Sequence, residues 1–455
     1  VAASALAVLA CAAPASARAA EPPVEPITAV QASAPPSGTV AAPPPAAPAT
    51  PTGTPGDTVT LEDVFRLLRE KSPRTAADRT RIDLAAAETV AARVYPNPEI
   101  DYSSVHLTSG TNTGAADVRT LTAGEPLLIF GQRGQRKLQA DLELHAVESD
   151  VAADAAARQR LARSQFTALL ASQDRVRLLS DAHGDLARVA AVVTARAEAG
   201  EKSRYDALRI DLELKQREAD VAEARAEVEQ AAGTLAGTLG VPGGRPVASG
   251  ALQPIGLDIG NEDALWSEAQ AHLAALDAAR REQEAAHQSI DLAKRERLPV
   301  PVVSAGGQFT QDAQSDSFLA GLSLPIPLTD RGQGPIARAT ARAAQADLEL
   351  AARTAEVRAD LHRALAVLTE RRRTLETLDR DVMGRLPEVR RMSEDAYREG
   401  QSDILDLLDA ARSRTAAELA RVDAVVGVME AEGDVLTLLG RAEATEATAA
   451  AGQSP

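Results

Sequence analysis

Aromatic residues supply only 2% of this chain, one Trp, four Tyr and five Phe in 455 residues. An ordinary globular core needs such side chains, so stability has to come from close packing of small ones. There is one cysteine, Cys11, which excludes an internal disulfide framework and a dithiol site. No run of 18 apolar residues occurs, so a transmembrane helix is excluded and a membrane can be entered only as a β-barrel. Positive charge is short as well: 49 Lys and Arg face 65 Asp and Glu, a net charge of -16. Nucleic acid and anionic membrane surfaces are poor partners for such a chain.

What is present is alanine with Glu, Arg, Leu and Gln, the composition of long helices and coiled coils. The N-terminal VAASALAVLACAAPASARAA reads as a signal segment over residues 1–20, with cleavage near Ala17 or, alternatively, lipidation of Cys11. Residues 21–57 are Pro, Ala, Thr and Gly, a disordered linker by composition, and 441–455 reads as a disordered tail.

The main organising feature is an internal repeat at an offset of about 200 residues. LEDVF (61–65) answers NEDALW (261–266), and YPNPEI (95–100) answers RLPVPV (297–302). LLIFGQRG (127–134) answers IPLTDRG (326–332), AGEKSRYDAL (199–208) answers EGQSDILDLL (399–408), and TLAGTLG (234–240) answers GDVLTLLG (433–440). Five matches in one order predict two repeats, 58–240 and 260–440, joined by a connector at 241–259.

In each repeat a helical stretch (60–94, 262–296) precedes two strand-like segments around a polar loop, within about 98–128 and 300–327. Phe318, Ala320, Leu322, Leu324 and Ile326 alternate with Leu319, Gly321, Ser323 and Pro325, while the first strand slips phase at Ser103-Ser104, as a bulge does. A helix of about 65 residues follows (134–198, 334–398), then a glycine turn and a return helix to Gly240 or Gly440. On the second return helix Ile404, Leu408, Ala411, Thr415, Leu419, Val422, Val426, Met429, Gly433 and Leu436 form one packing stripe. The fold class expected is therefore mainly α with a small β part. Four strands cannot close a barrel and an open edge is forbidden in lipid, so chains must pool strands, three of them making a twelve-stranded barrel below which the helical hairpins form an α-barrel.

With the duplicated hairpins, the NPE after the first helices, PLLIFGQRG at the strand-to-helix junction and DILDLLDA after a glycine turn, residues 58–440 resemble the TolC-like outer-membrane efflux proteins. YPNPEI and FGQRGQR are similar to the branch that exports cobalt, zinc and cadmium. The resemblance implies a homotrimeric channel-tunnel: a β-barrel in outer-membrane lipid, a periplasmic helical barrel, and a closed tip. That tip docks on a periplasmic adaptor linked to an inner-membrane resistance-nodulation-division pump. It implies neither enzymatic activity nor a cofactor. The competing class is a periplasmic coiled-coil adaptor or scaffold without a pore.

The tips fall at about 199–208 and 399–409. Ser203 with Asp206, and Asp403 with Asp406, have capping-box spacing. Capping leaves Asp409 unexplained, because it lies past the first turn, on one helix face with Asp406. The resemblance puts a periplasmic gate here, with Asp406 and Asp409 as rings of carboxylates and Asp206 and Tyr397 holding the closed state. Where it implies an arginine in that link this chain has Ser402, for which Lys202 or Arg204 can substitute. Adaptor docking is expected at Gly200, Ser203, Leu208, Gly400, Ser402 and Leu405. The six histidines, His106, His145, His183, His272, His287 and His362, are dispersed without metal-ligand spacing, so no metal site is expected.

Overall fold

The computed structural model describes residues 58–111, 117–200, 203–310 and 315–444. The expected leader, Cys11, the Pro/Ala-rich segment, Lys202 and the chain beyond 444 lie outside the described residues.

Each repeat opens with a pair of helices, which corrects the single helices expected at 60–94 and 262–296. In the first repeat they are α1 (Leu61–Lys71) and α2 (Pro73–Arg93), and in the second α5 (Glu262–His272) and α6 (Ala274–Glu296). Pro73, lacking an N–H, ends α1 and starts α2 at N1, where no donor is missed. Both corners are occupied by the end of a return helix. Gly240 (φ 74°) closes α4 (Arg204–Leu239), and a Cβ on it would lie 2.4 Å from Pro73 Cδ. Gly440 (φ 75°) follows α9 (Ile404–Leu438), and a Cβ on it would lie 2.5 Å from the His272 carbonyl oxygen. Only glycine combines that φ with that approach.

Strands β2 (Glu99–His106), β3 (Asp117–Pro126), β5 (Val302–Thr310) and β6 (Ser315–Ser323) form one antiparallel sheet in the order β2-β3-β5-β6. The ladder runs unbroken through Ser103↔Thr120 and Ser104↔Arg119, so the expected bulge is absent. The phase slip reflects instead a strand that is exposed along its whole length, where no buried face enforces alternation. Ile100, Tyr102, Leu121, Val303, Phe309, Phe318 and Leu322 are exposed, and the register sets them on one face. Asp101, Ser103, Thr120, Thr122, Ser304 and Gln308 fall on the other. A second, two-stranded sheet pairs β1 (Thr58–Val59) with β4 (Val247–Ala248) in parallel.

From the sheet, α3 (Gln132–Glu198) runs 67 residues, about 100 Å at 1.5 Å per residue. Its counterpart is not continuous, which corrects the helix expected over 334–398. α7 (Gln333–Thr377) passes into a π-helical turn at Leu378–Met383, and α8 (Leu386–Arg398) resumes beyond Gly384 and Arg385. Pro387 cannot donate to the carbonyl four residues back, and the Gly384 N–H bonds to the Asp379 carbonyl five back at 3.2 Å. Each long helix packs against its return helix and an opening helix, α3 against α4, α2 and α6, α7 against α9 and α6.

The core lies where these elements meet. Val64, Leu68, Phe166, Leu169 and Leu235 form one cluster, and Leu361, Leu368, Val428, Val435 and Leu436 its counterpart. Of the packing stripe expected on α9, Ile404, Leu408, Thr415, Val422, Gly433 and Leu436 are buried, whereas Ala411 is exposed and Val425, Val428 and Val435 take part instead. Glu432 is fully buried and accepts from the N–H groups of Ile255 (2.7 Å), Gly256 (3.0 Å) and Leu257 (3.2 Å) and from Arg372 (2.7 Å), tying the connector to α9. Arg163 donates to the Ala442 carbonyl at 3.1 Å, and burial with the nearby Arg160 lowers its pKa to about 10. The first residues of the expected tail, 441–444, are thus docked on α3.

Candidate functional site at the hairpin tips

Both tips turn through a left-handed glycine, Gly200 (φ 80°) and Gly400 (φ 75°). At the second, the Gln401 N–H bonds back to the Ala396 carbonyl at 2.8 Å, satisfying the last carbonyls of α8. α9 then starts with a complete capping box. The Asp403 carboxylate accepts from the N–H groups of Leu405 (2.8 Å) and Asp406 (3.0 Å), and the Asp406 carboxylate accepts from the Asp403 N–H (3.3 Å). The first tip differs from the spacing-based expectation: Ser203 Oγ accepts from the Tyr205 N–H at 3.1 Å, and the reciprocal arm from Asp206 is not formed.

Behind the turns sits a small core of Leu186, Ala190, Val193, Ile210, Tyr397, Ile404, Leu407 and Leu408. It fixes the rotation of α9, so the opposite face, with Leu405, Asp406 and Asp409, is exposed. Asp406 is engaged in the cap. Asp409 is not, and its charge acts on Arg412, whose guanidinium is held by Glu213 with Nε at 2.9 Å. Burial, with the Asp206 carboxylate nearby, pushes the Tyr397 phenol above its ordinary range, so it stays protonated at pH 7. Asp206 and Tyr397, from different repeats, are near enough for the Asp206 charge to act on the phenol. Ser203, Leu208 and Leu405 are exposed, and Ser402 is half-buried.

Sequence reasoning missed a groove of about 380 Å³ just above the turns, walled by Val189 and Val193 of α3, Leu386 and Val389 of α8, and Leu407 of α9. Its signal was Gly384 and Pro387, which break α7 from α8. It also missed the ionic clasp at that level. Burial alone would raise Asp185, but the hydrogen bond from Arg414 (2.8 Å), with Arg390 and Arg188, holds its pKa below the usual value. The hydrogen bond from Arg412 does the same for Glu213.

Four histidines each face one carboxylate: His106 with Asp117, His145 with Glu148, His287 with Asp347 and His362 with Glu262. Among the described residues no group of three or more His, Cys, Asp or Glu is placed to hold a metal ion, and no helix is long and apolar enough to cross a membrane.

Residues 265–441 match the sequence model of the outer membrane efflux protein family. The chain is 24% identical over 391 residues to the cobalt-zinc-cadmium resistance protein CzcC of Cupriavidus metallidurans, covering 84% of this chain and 90% of that one. Among solved structures it is similar to the outer-membrane channel OprN (19% identity, 84% and 89% of the two chains, TM-score 0.68). It is similar also to CusC, described in terms of transmembrane channel formation (18%, 84% and 92%, TM-score 0.69). The outer membrane protein VceC of Vibrio cholerae gives 16%, 84% and 96%, with a TM-score of 0.69. Residues 265–441 thus match the outer membrane efflux protein family, and the chain as a whole has the fold of these solved outer-membrane channel proteins.

Proposed function

We propose that the chain is one subunit of a homotrimeric channel-tunnel, set in the outer membrane with a large periplasmic helical part. It serves as the passive exit duct of a tripartite efflux system driven by an inner-membrane resistance-nodulation-division pump through a periplasmic adaptor. The observation that carries this reading is the sheet: four strands, one face carrying most of the large apolar side chains and the other mostly small and polar ones, with β2 and β6 as open edges. An open edge in lipid leaves backbone groups unsatisfied at several kcal/mol each, so edges must meet between copies. Three copies make a closed barrel of twelve strands with the polar face inward. The similarity to the cobalt-zinc-cadmium resistance protein favours divalent metal cations as cargo.

At the far end, Asp406 and Asp409 on the exposed face of α9 become two rings of three carboxylates about the three-fold axis, a cation-selecting constriction. Asp206 and Tyr397, one from each repeat, hold it narrow. The turns around Gly200, Ser203 and Leu208, and around Gly400, Ser402 and Leu405, receive the adaptor. The test is membrane fractionation followed by electrophoresis with and without heating. A heat-modifiable trimer in the outer-membrane fraction is expected, and a soluble monomer ends the reading.

A further inference from the structure

Both repeats carry the same hydrogen-bonded frame, which allows the contact between copies to be read from the contact within one. Val302↔Ser323 in β5–β6 takes the place of Glu99↔Gly124 in β2–β3, and the correspondence holds to Phe309↔Asp316 and His106↔Asp117 at the other end. After the strands, the Phe130 N–H donates to Gln132 Oε1 at 3.2 Å and the Arg331 N–H to Gln333 Oε1 at 2.7 Å. One contact between the repeats has no partner of its own kind. β3 of the first repeat pairs with β5 of the second, but among the described residues β6 of the second meets no further strand.

We infer that β6 pairs with β2 of the next copy in the register that repeats β3–β5. This rests on the oligomeric reading above and adds to it the residue-by-residue seam. Leu121↔Gly307 becomes Ala320 opposite Ser104 of the next copy, and Thr120↔Gln308 becomes Leu319 opposite Val105. Ala123↔Ala305 becomes Leu322 opposite Tyr102, and Glu125↔Val303 becomes Leu324 opposite Ile100. The bond from the Leu127 N–H to the Pro301 carbonyl (2.7 Å) becomes one from Ile326 to Pro98 of the next copy.

Two independent observations agree. In this register Leu322 and Leu324 continue the apolar face onto Tyr102 and Ile100, while Ser323 meets Asp101 on the polar face. A slip by one residue would set Leu322 opposite Asp101 or Ser103 and Leu324 opposite Glu99 or Asp101. Second, Gln132 is 1% exposed, covered where the repeats meet, whereas its counterpart Gln333 is exposed. The α3–α6 contact likewise has no counterpart on α7 and α2, where Leu348, Leu84 and Val90 are exposed at 72%, 67% and 62%. In the inferred position α2 of the next copy stands to α7 as α6 stands to α3 within one chain.

Paired cysteines test the register in the full-length protein, purified from membranes and mildly oxidised. The single-cysteine variants serve as controls for the native Cys11. Directly opposed residues have Cα atoms about 4.5–5.5 Å apart, within disulfide reach, and pairs slipped by two lie beyond about 7 Å. Within one chain β2 and β6 are separated by β3 and β5, so a bridge must join copies. Ser104→Cys/Ala320→Cys and Val105→Cys/Leu319→Cys should convert most of the chain to cross-linked trimer. Ser104→Cys/Leu322→Cys and Ser104→Cys/Phe318→Cys should give about tenfold less. Native mass measurement of each variant reports the oligomer independently. A trimer whose bridges form only in the slipped pairs, or in none, overturns the register and leaves the oligomeric reading standing; a monomer overturns both.

Discussion

Replacing Glu432 by alanine should release the connector that joins the two repeats. The carboxylate has no exposure, and it is the shared acceptor for three successive backbone N–H groups at 2.7, 3.0 and 3.2 Å and for Arg372 at 2.7 Å. Alanine leaves the donors of Ile255, Gly256 and Leu257 without an acceptor and a guanidinium without its counter-ion. Breaking a buried ion pair by removing one partner costs about 3–5 kcal/mol, and each stranded donor about 1–3 kcal/mol. The connector can regain part of this by swinging out to water, so about 3 kcal/mol is the expected local loss. At 1.4 kcal/mol per factor of ten, amide exchange at 255–257 should rise roughly 100-fold, read by mass spectrometry against an α3 peptide. Glu432→Gln, which keeps one carbonyl oxygen, should fall between wild type and alanine. If Glu432→Ala leaves exchange within threefold of wild type, the carboxylate is not what holds the connector.

Two further outcomes concern the tip. Glu213 and Asp185 bind their protons less tightly in the folded tip than in the unfolded chain. Their contribution is therefore complete above the ordinary carboxylate values of 4.5 and 3.8 and is lost as pH falls through the lowered ones. Exchange over residues 182–217, normalised to intrinsic rates, should stay flat from pH 8 to about 5 and rise only below about 4; a rise between pH 7 and 6 would contradict the assignment. Tyr397→Phe and Asp206→Asn should each raise channel open probability, since either removes the influence of the Asp206 charge on the Tyr397 phenol, and the double variant should raise it no more than either alone. Additive effects would show that the two residues do not act as a pair.

Much of this was legible in the sequence because the chain is duplicated. Five short matches fixed the two repeats, the turns at Gly200 and Gly400, and the strand pairs without any knowledge of packing. What was not legible came from single residues whose effect depends on a partner far along the chain. Pro73 breaks an opening helix at the corner that Gly240 fills, and His272 marks the same corner against Gly440, more than 160 residues away. One continuous helix is expected over 334–398, yet it turns π-helical at Leu378–Met383 and resumes as α8 only beyond Gly384, with Pro387 in its first turn. Spacing alone gave Ser203 and Asp403 the same cap, but of the two only Asp403 forms the reciprocal box, because the Ser203 hydroxyl accepts from the Tyr205 N–H at N2 and not from Asp206 at N3. Asp409, which capping never explained, remains outside the cap in the structure and on the exposed face.

The central claim is that three copies enclose a conducting path narrowed by Asp406 and Asp409. Its most direct test is current through the purified protein in planar lipid bilayers, for wild type and for Asp406→Asn/Asp409→Asn. Asparagine keeps an oxygen for the Asp403 N–H, so the cap survives while the charge is removed. Wild type should give discrete, cation-selective channels of low conductance, and the double variant a higher conductance with weakened cation preference. Absence of channels in wild type, or a variant of unchanged conductance and selectivity, would contradict the account.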